Sequence, residues 1–193
     1  MVNSFGIALD PPYTFNFLIY IQNIYLNQKN TEEDYFYKHP YIPSKISFKK
    51  DFELQFNDLF DEISHRIMKN DHDLVIFYEE NELIYNRLFE QTPESFNKYN
   101  DIYKAFQVWW RSTAGQSSIE MHVYERTNSL YEALSTYLKK KKIIPSKGLK
   151  INLIFDKCIL SNSNFHPYFA TVSIEEIIFY QEELASNLKG CLS

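Results

Sequence analysis

Glycine is scarce in this sequence. The 193-residue chain has only four, Gly6, Gly115, Gly148 and Gly190, and no two of them lie close together. The G-x-G-x-x-G and P-loop phosphate cradles, the kinase glycine loop and the G-x-S-x-G elbow each need several nearby glycines, so all are excluded. Cysteine is equally rare. Cys158 and Cys191 alone cannot build the disulfide framework of a small secreted domain. Long apolar runs are also missing. None exceeds the length of Phe17 to Ile21, far short of the roughly 20 residues of a membrane helix, so no membrane association is expected. No Lys or Arg precedes Lys29, so a secretory signal would lack its basic region, and a cytoplasmic location is expected. Basic excess is lacking as well: 20 Lys and Arg stand against 25 Asp and Glu, a net charge of -5. A duplex DNA partner is therefore not expected, because such proteins carry cations to match the phosphates.

Aromatic residues are abundant instead, at 17% with 16 Phe, 15 Tyr and 2 Trp. Most fall at helical spacing. The segment from Tyr13 to Asn27 is apolar on all sides, which implies burial, and its ring and β-branched content is compatible with helix or strand. Phe52, Phe56, Leu59, Phe60, Ile63 and Ile67 form one stripe of roughly 100° on a helix within 47–70. Asp71 or Asp73 is a candidate cap for the next segment, which runs to Glu90 and opens on Leu74 to Tyr78, a run that also reads as a short strand. Thr92-Pro93-Glu94 is a helix start, followed by the stripe Phe96, Tyr99, Tyr103, Phe106 and Trp110. Ser117-Ser118-Ile119-Glu120 and Ser173-Ile174-Glu175-Glu176 are capping boxes. The first opens a helix that ends in Lys139 to Lys142, where cations suit the dipole. Lys150 to Leu160 reads as a strand. Residues 31–43, 111–117 and 161–172 read as loops. The expected fold is mainly α, α+β by strict class: a single compact helical domain over 1–193 with five or six helices and one or two short strands.

Four groups of residues carry candidate chemistry. Asp58, Asp61, Glu62 and His65 share one helix face, and Glu62-Ile63-Ser64-His65 is a Glu-x-x-His unit of the kind that di-metal bundles use in pairs. No second such unit exists, and the group lies roughly 200° from the apolar stripe, so a solvated face is expected rather than a metal site. Arg66 and His72 form Arg-x5-His. That spacing resembles the Arg-x(4–6)-His motif of HEPN ribonucleases, small helical proteins in which the resemblance implies an Arg that steadies phosphate and a His that serves in RNA cleavage. This chain has Ile67 where the family usually has a polar residue. Lys139 to Lys142 is a candidate contact for phosphates or an anionic surface, the one local route to RNA or a nucleotide. Trp109-Trp110-Arg111 combines residue types rich in interface hot spots. Trp110 falls on the core stripe and Trp109 on its flank, so Trp109 and Arg111 are the candidate binding residues. The tyrosines between Tyr35 and Tyr41 are a further aromatic surplus. No cofactor is implied.

No complete catalytic constellation emerges. The function expected is that of a non-enzymatic cytoplasmic protein acting through a protein partner, regulatory, inhibitory or immunity-like in kind. The alternative is a small helical enzyme, either HEPN-like or metal-dependent. A small-molecule sensor is the third class.

Overall fold

The computed structural model describes residues 5–30, 36–162 and 164–192, without the side chains of 124 and 125. Its contacts form two compact units. A helical unit comprises Tyr13–Arg111 and Cys158–Asn162, and a sheet unit comprises Met1–Pro12, Ser112–Lys157 and Ser163–Ser193. The α-dominant class is as expected. Among the described residues there are eight helices and four strands, more than the five or six helices and one or two strands expected.

The sheet unit begins with β1 (Ile7–Asp10), and the chain then runs through the helical unit. There α1 (Tyr13–Lys29), α2 (Phe52–Met68), α3 (Asp73–Tyr78), α4 (Asn81–Leu88) and α5 (Pro93–Trp110) follow in order. The sheet unit resumes with α6 (Gln116–Lys141), β2 (Leu149–Ile154), β3 (Phe165–His166), β4 (Phe169–Ser173), α7 (Ile174–Phe179) and α8 (Gln181–Gly190).

In the helical unit, α1 packs on α3 and α5, and α2 packs on α4. The segment that suited helix or strand is a helix buried nearly all round. Its polar residues explain how that is possible. Asn23 and Asn27 bond the backbone of the following loop, and Gln22 Oε1 accepts from the backbone N–H groups of Ile159 and Leu160 at 2.8 and 3.1 Å. Buried amides are tolerated once their partners are found. The start of α1 is capped from a distance: the Asp73 carboxylate accepts from Tyr13 N at 2.6 Å and Thr14 N at 2.9 Å. This corrects the expected local roles. Asp73 caps α1 rather than its own helix, Asp71 bonds Arg66, and His72 holds the N-cap position of α3 without a side-chain cap. The run Leu74 to Tyr78 is helical, and the segment to Glu90 breaks into α3 and α4 around Glu80, whose carboxylate is held by Arg66. Thr92 caps α5 as expected, accepting from Ser95 N at 3.1 Å. Around Phe17 the rings of Phe77, Tyr99, Tyr103 and Phe106 lie with centroids 5.1–6.0 Å away, a range that suits offset and edge-on contact.

In the sheet unit the strand order is β1-β2-β4-β3. The first three strands run parallel, and β3 pairs antiparallel with β4. All of β3 and all but the last residue of β4 lie inside the expected 161–172 loop. Every residue of β4 is buried, so it shows no polar alternation to read. The strand expected over 150–160 stops at Ile154, leaving Cys158 in a loop, and both Cys158 and Cys191 are buried. The Ser173 capping box is present in full: Ser173 Oγ accepts from Glu176 N, and Glu176 accepts from Ser173 N at 2.8 Å. The helix it opens breaks at Tyr180 into α7 and α8, because one residue off helical geometry (φ -125°, ψ 37°) is invisible to a periodic pattern. The Ser117 capping box does not form. Gly115 precedes α6, which begins one residue before that serine, so the 111–117 loop is shorter than expected. No described helix is long and apolar enough to cross a membrane.

Candidate functional site

The aromatic surplus collects in the helical unit. Residues 36–46 carry no helix or strand, so the loop expected over 31–43 runs at least three residues further; 31–35, including Tyr35, lie outside the described residues. Asn27 Nδ2 donates to Lys38 O at 2.7 Å and to Pro40 O at 3.0 Å, while its Oδ1 accepts from Lys38 N at 2.9 Å. Asn23 Nδ2 donates to His39 O at 2.8 Å. Gln28 reaches further along, donating to Ser44 O and accepting from Ile46 N. Three amides within a six-residue stretch of α1 therefore fix the loop by its backbone. The His39–Pro40 peptide is cis.

With the backbone fixed inward, the rings face out. Phe36 is 93% exposed, Tyr37 62% and Tyr41 58%. Tyr37 and Tyr41 meet edge-on at 4.7 Å. His39 lies 4.8 Å from Trp109 and 5.7 Å from Tyr20. Partial burial lowers the His39 pKa below its ordinary value, so the ring is neutral at pH 7 and packs as an aromatic. Burial likewise pushes the Tyr20 hydroxyl up to about 12. Trp109 is half-buried on Tyr20, His39, Phe106 and Trp110. Trp110 is wholly buried, and its Nε1 meets no acceptor among the described residues. The helix flank expected for Trp109 and the loop tyrosines thus adjoin through His39, a residue that no spacing rule picked out.

Arg111 engages a different set. Its Nη2 donates to the Tyr78 hydroxyl at 2.7 Å, with the guanidinium 6.0 Å from that ring. Tyr78 packs on Tyr13, which in turn meets Trp110 edge-on at 6.0 Å. Trp109 and Arg111, paired in sequence, have separate neighbours.

The other candidates do not form a shared site, and Glu62 and Arg66 are engaged in ion pairs. Glu62 takes Arg87 at 2.8 Å, and His65 Nδ1 lies 3.5 Å from Asp61 Oδ1. Asp58 is exposed. No group of three or more His, Cys, Asp or Glu among the described residues is arranged to hold a metal. Arg66 donates through Nε to Asp71 at 2.8 Å and through both Nη atoms to Glu80 at 2.7 and 2.8 Å. That bidentate fork raises the pKa of Arg66 and lowers that of Glu80. His72 is exposed at the start of α3. Lys139 to Lys142 are exposed at the end of α6. No family model matches the chain, and no curated protein or solved structure matches it.

Proposed function

We propose that the chain is a non-enzymatic cytoplasmic protein that binds a protein partner through the aromatic loop 36–41 and Trp109, in a regulatory, inhibitory or immunity-like role. One observation carries the reading: three large rings stand in water on a loop whose backbone is tied down by Asn23 and Asn27. Single exposed apolar residues are ordinary, but a run of them beside a half-buried tryptophan marks an interaction surface. Tyr and Trp are the residue types that dominate interface energetics. A loop already held in place loses little freedom on binding, which favours affinity. The ribonuclease alternative asks Arg66 to give up Glu80 and Asp71 before it meets phosphate, and the metal alternative asks Glu62 to leave Arg87.

The test combines partner capture with a surface variant. Protein that copurifies in fixed stoichiometry from the native cell is isolated and titrated with wild type and with the triple variant Phe36→Ser, Tyr37→Ser, Tyr41→Ser. Because these rings are exposed, the variant keeps the fold, which circular dichroism checks. Loss of affinity by at least ~30-fold is expected, the effect of one hot spot. Equal binding by the variant refutes the proposed surface. Recovery of no partner, beside measurable turnover in an enzyme screen, refutes the proposed function.

A further inference from the structure

The end of α6 in the sheet unit is closed by a left-handed residue. Lys142 adopts the left-handed conformation (φ 56°, ψ 33°), Ile143 N donates to Leu138 O at 3.0 Å, and Lys142 N donates to Lys139 O at 3.2 Å. These bonds are those of a Schellman turn, which folds the chain back over the helix. A groove of about 780 Å³ lies beside this turn, with Ile143 and Ile144 among its lining residues. Phe5, stacked on Tyr131 at 5.9 Å, lines it together with Leu138, Ile143, Ile144 and Pro145. Ile144 is left 79% exposed and Tyr131 41% exposed, so the apolar surface is open to a ligand.

The mouth is cationic. Lys139 and Lys142 line the groove, and Lys140 and Lys141 stand beside them in sequence. None of the four has an ion-pair partner among the described residues. Two negative features oppose them: Glu132 on the wall, and the carbonyl end of α6, worth roughly half a charge. The two lining lysines alone exceed that sum, and the two neighbours widen the excess. A positive mouth in a chain of net charge -5 is therefore local and directed at one chemistry. The volume lies in the ~300–1,000 Å³ range of small-molecule sites. A lysine, a compact point charge on a flexible stem, suits a single carboxylate at the rim.

We infer that this groove binds a monomeric straight-chain fatty carboxylate, its alkyl chain along Tyr131, Leu138, Ile143 and Ile144 and its head on Lys139 and Lys142. The site is independent of the aromatic-loop reading, because it lies in the sheet unit and uses none of those residues.

The probe is dodecanoate below its micellar concentration, titrated into the full chain by calorimetry, with isoleucine methyl NMR to locate it. Saturable one-to-one binding that shifts the Ile143 and Ile144 methyls is expected. Lys139→Gln with Lys142→Asn, asparagine being tolerant of the left-handed backbone, should weaken dodecanoate about tenfold while leaving dodecanol binding unchanged. Ile144→Ser, at an exposed position that leaves folding intact, should weaken both probes. Absence of saturable dodecanoate binding overturns the inference. So does binding that leaves the two methyls unmoved, or equal affinity in the lysine variant. Binding to phosphatidylglycerol vesicles without binding of monomeric dodecanoate also overturns it, since the surface would then be a membrane contact.

Discussion

Replacing Asn27 tests whether the aromatic loop is held by α1. Asn27→Ala deletes three hydrogen bonds, to Lys38 N, Lys38 O and Pro40 O. The three are not equivalent. Lys38 is half-buried, so its amide and carbonyl regain water when the loop lifts, at about 0.5 kcal/mol each. Pro40 is buried, and its carbonyl is stranded at a cost of about 1–3 kcal/mol. The sum is about 2–4 kcal/mol, a fall in urea midpoint of about 1–2 M for a chain of this size. Asn27→Asp separates hydrogen bonding from packing, because it keeps the size and the acceptor for Lys38 N while turning an anion toward two carbonyl oxygens. Its folded-state pKa is raised by that environment, so its deficit is full at neutral pH and shrinks as acid protonates it and restores a donor. Urea unfolding at pH 7.5 should therefore rank wild type above Asn27→Ala, with Asn27→Asp the least stable. Amide exchange at Lys38 should rise in Asn27→Ala, which loses the acceptor for Lys38 N. An aspartate variant as stable as the alanine variant, or Lys38 protection unchanged in Asn27→Ala, refutes the reasoning.

Four other outcomes follow from particular contacts. Asp73→Ala strips the carboxylate from two α1 N–H groups and should cost about 1–2 kcal/mol in thermal unfolding, although its own helix α3 loses no side-chain cap. Ser173→Ala removes a capping box and should cost about 1 kcal/mol; an unchanged melting temperature would contradict the geometry at the start of α7. Glu80 is held by the Arg66 fork below its ordinary pKa of 4.5, so its contribution is complete above that value and is lost as pH falls through the lower folded-state value. The stability gap between wild type and Glu80→Gln should accordingly close on acidification, and a gap constant from pH 7 to pH 3 contradicts it. Thr171→Val replaces a buried hydroxyl that has no partner among the described residues by an isosteric methyl, and should leave stability unchanged or raise it in urea unfolding.

The legible part of the fold is the local part. Thr92-Pro93-Glu94 and Ser173 to Glu176 announce their helix starts because each cap closes over three residues. The stripe from Phe52 to Ile67 is buried as its spacing demands. Helix breaks were not legible: Glu80 and Tyr180 interrupt segments whose apolar spacing runs on undisturbed. β1 has four residues and β4 is buried throughout, so neither offers an alternation to read. At the candidate site, the sequence supplied the rings, Trp109 and the tyrosines of the loop. It did not supply His39, whose ring packs on Trp109, or the asparagines that bond the loop backbone.

The sequence by itself settled the lack of glycine-rich phosphate loops and the helix-rich character, because glycine spacing, cap motifs and apolar stripes act over a few residues. Tertiary structure alone decided what the polar residues do. Gln22 meets the N–H of a residue 137 positions away, and Asp73 caps a helix 60 positions upstream. Whether an amide serves as a core anchor or a solvated side chain, and whether a carboxylate caps its own helix or another, depends on which strangers the fold brings within 3 Å. Spacing along the chain carries no record of that.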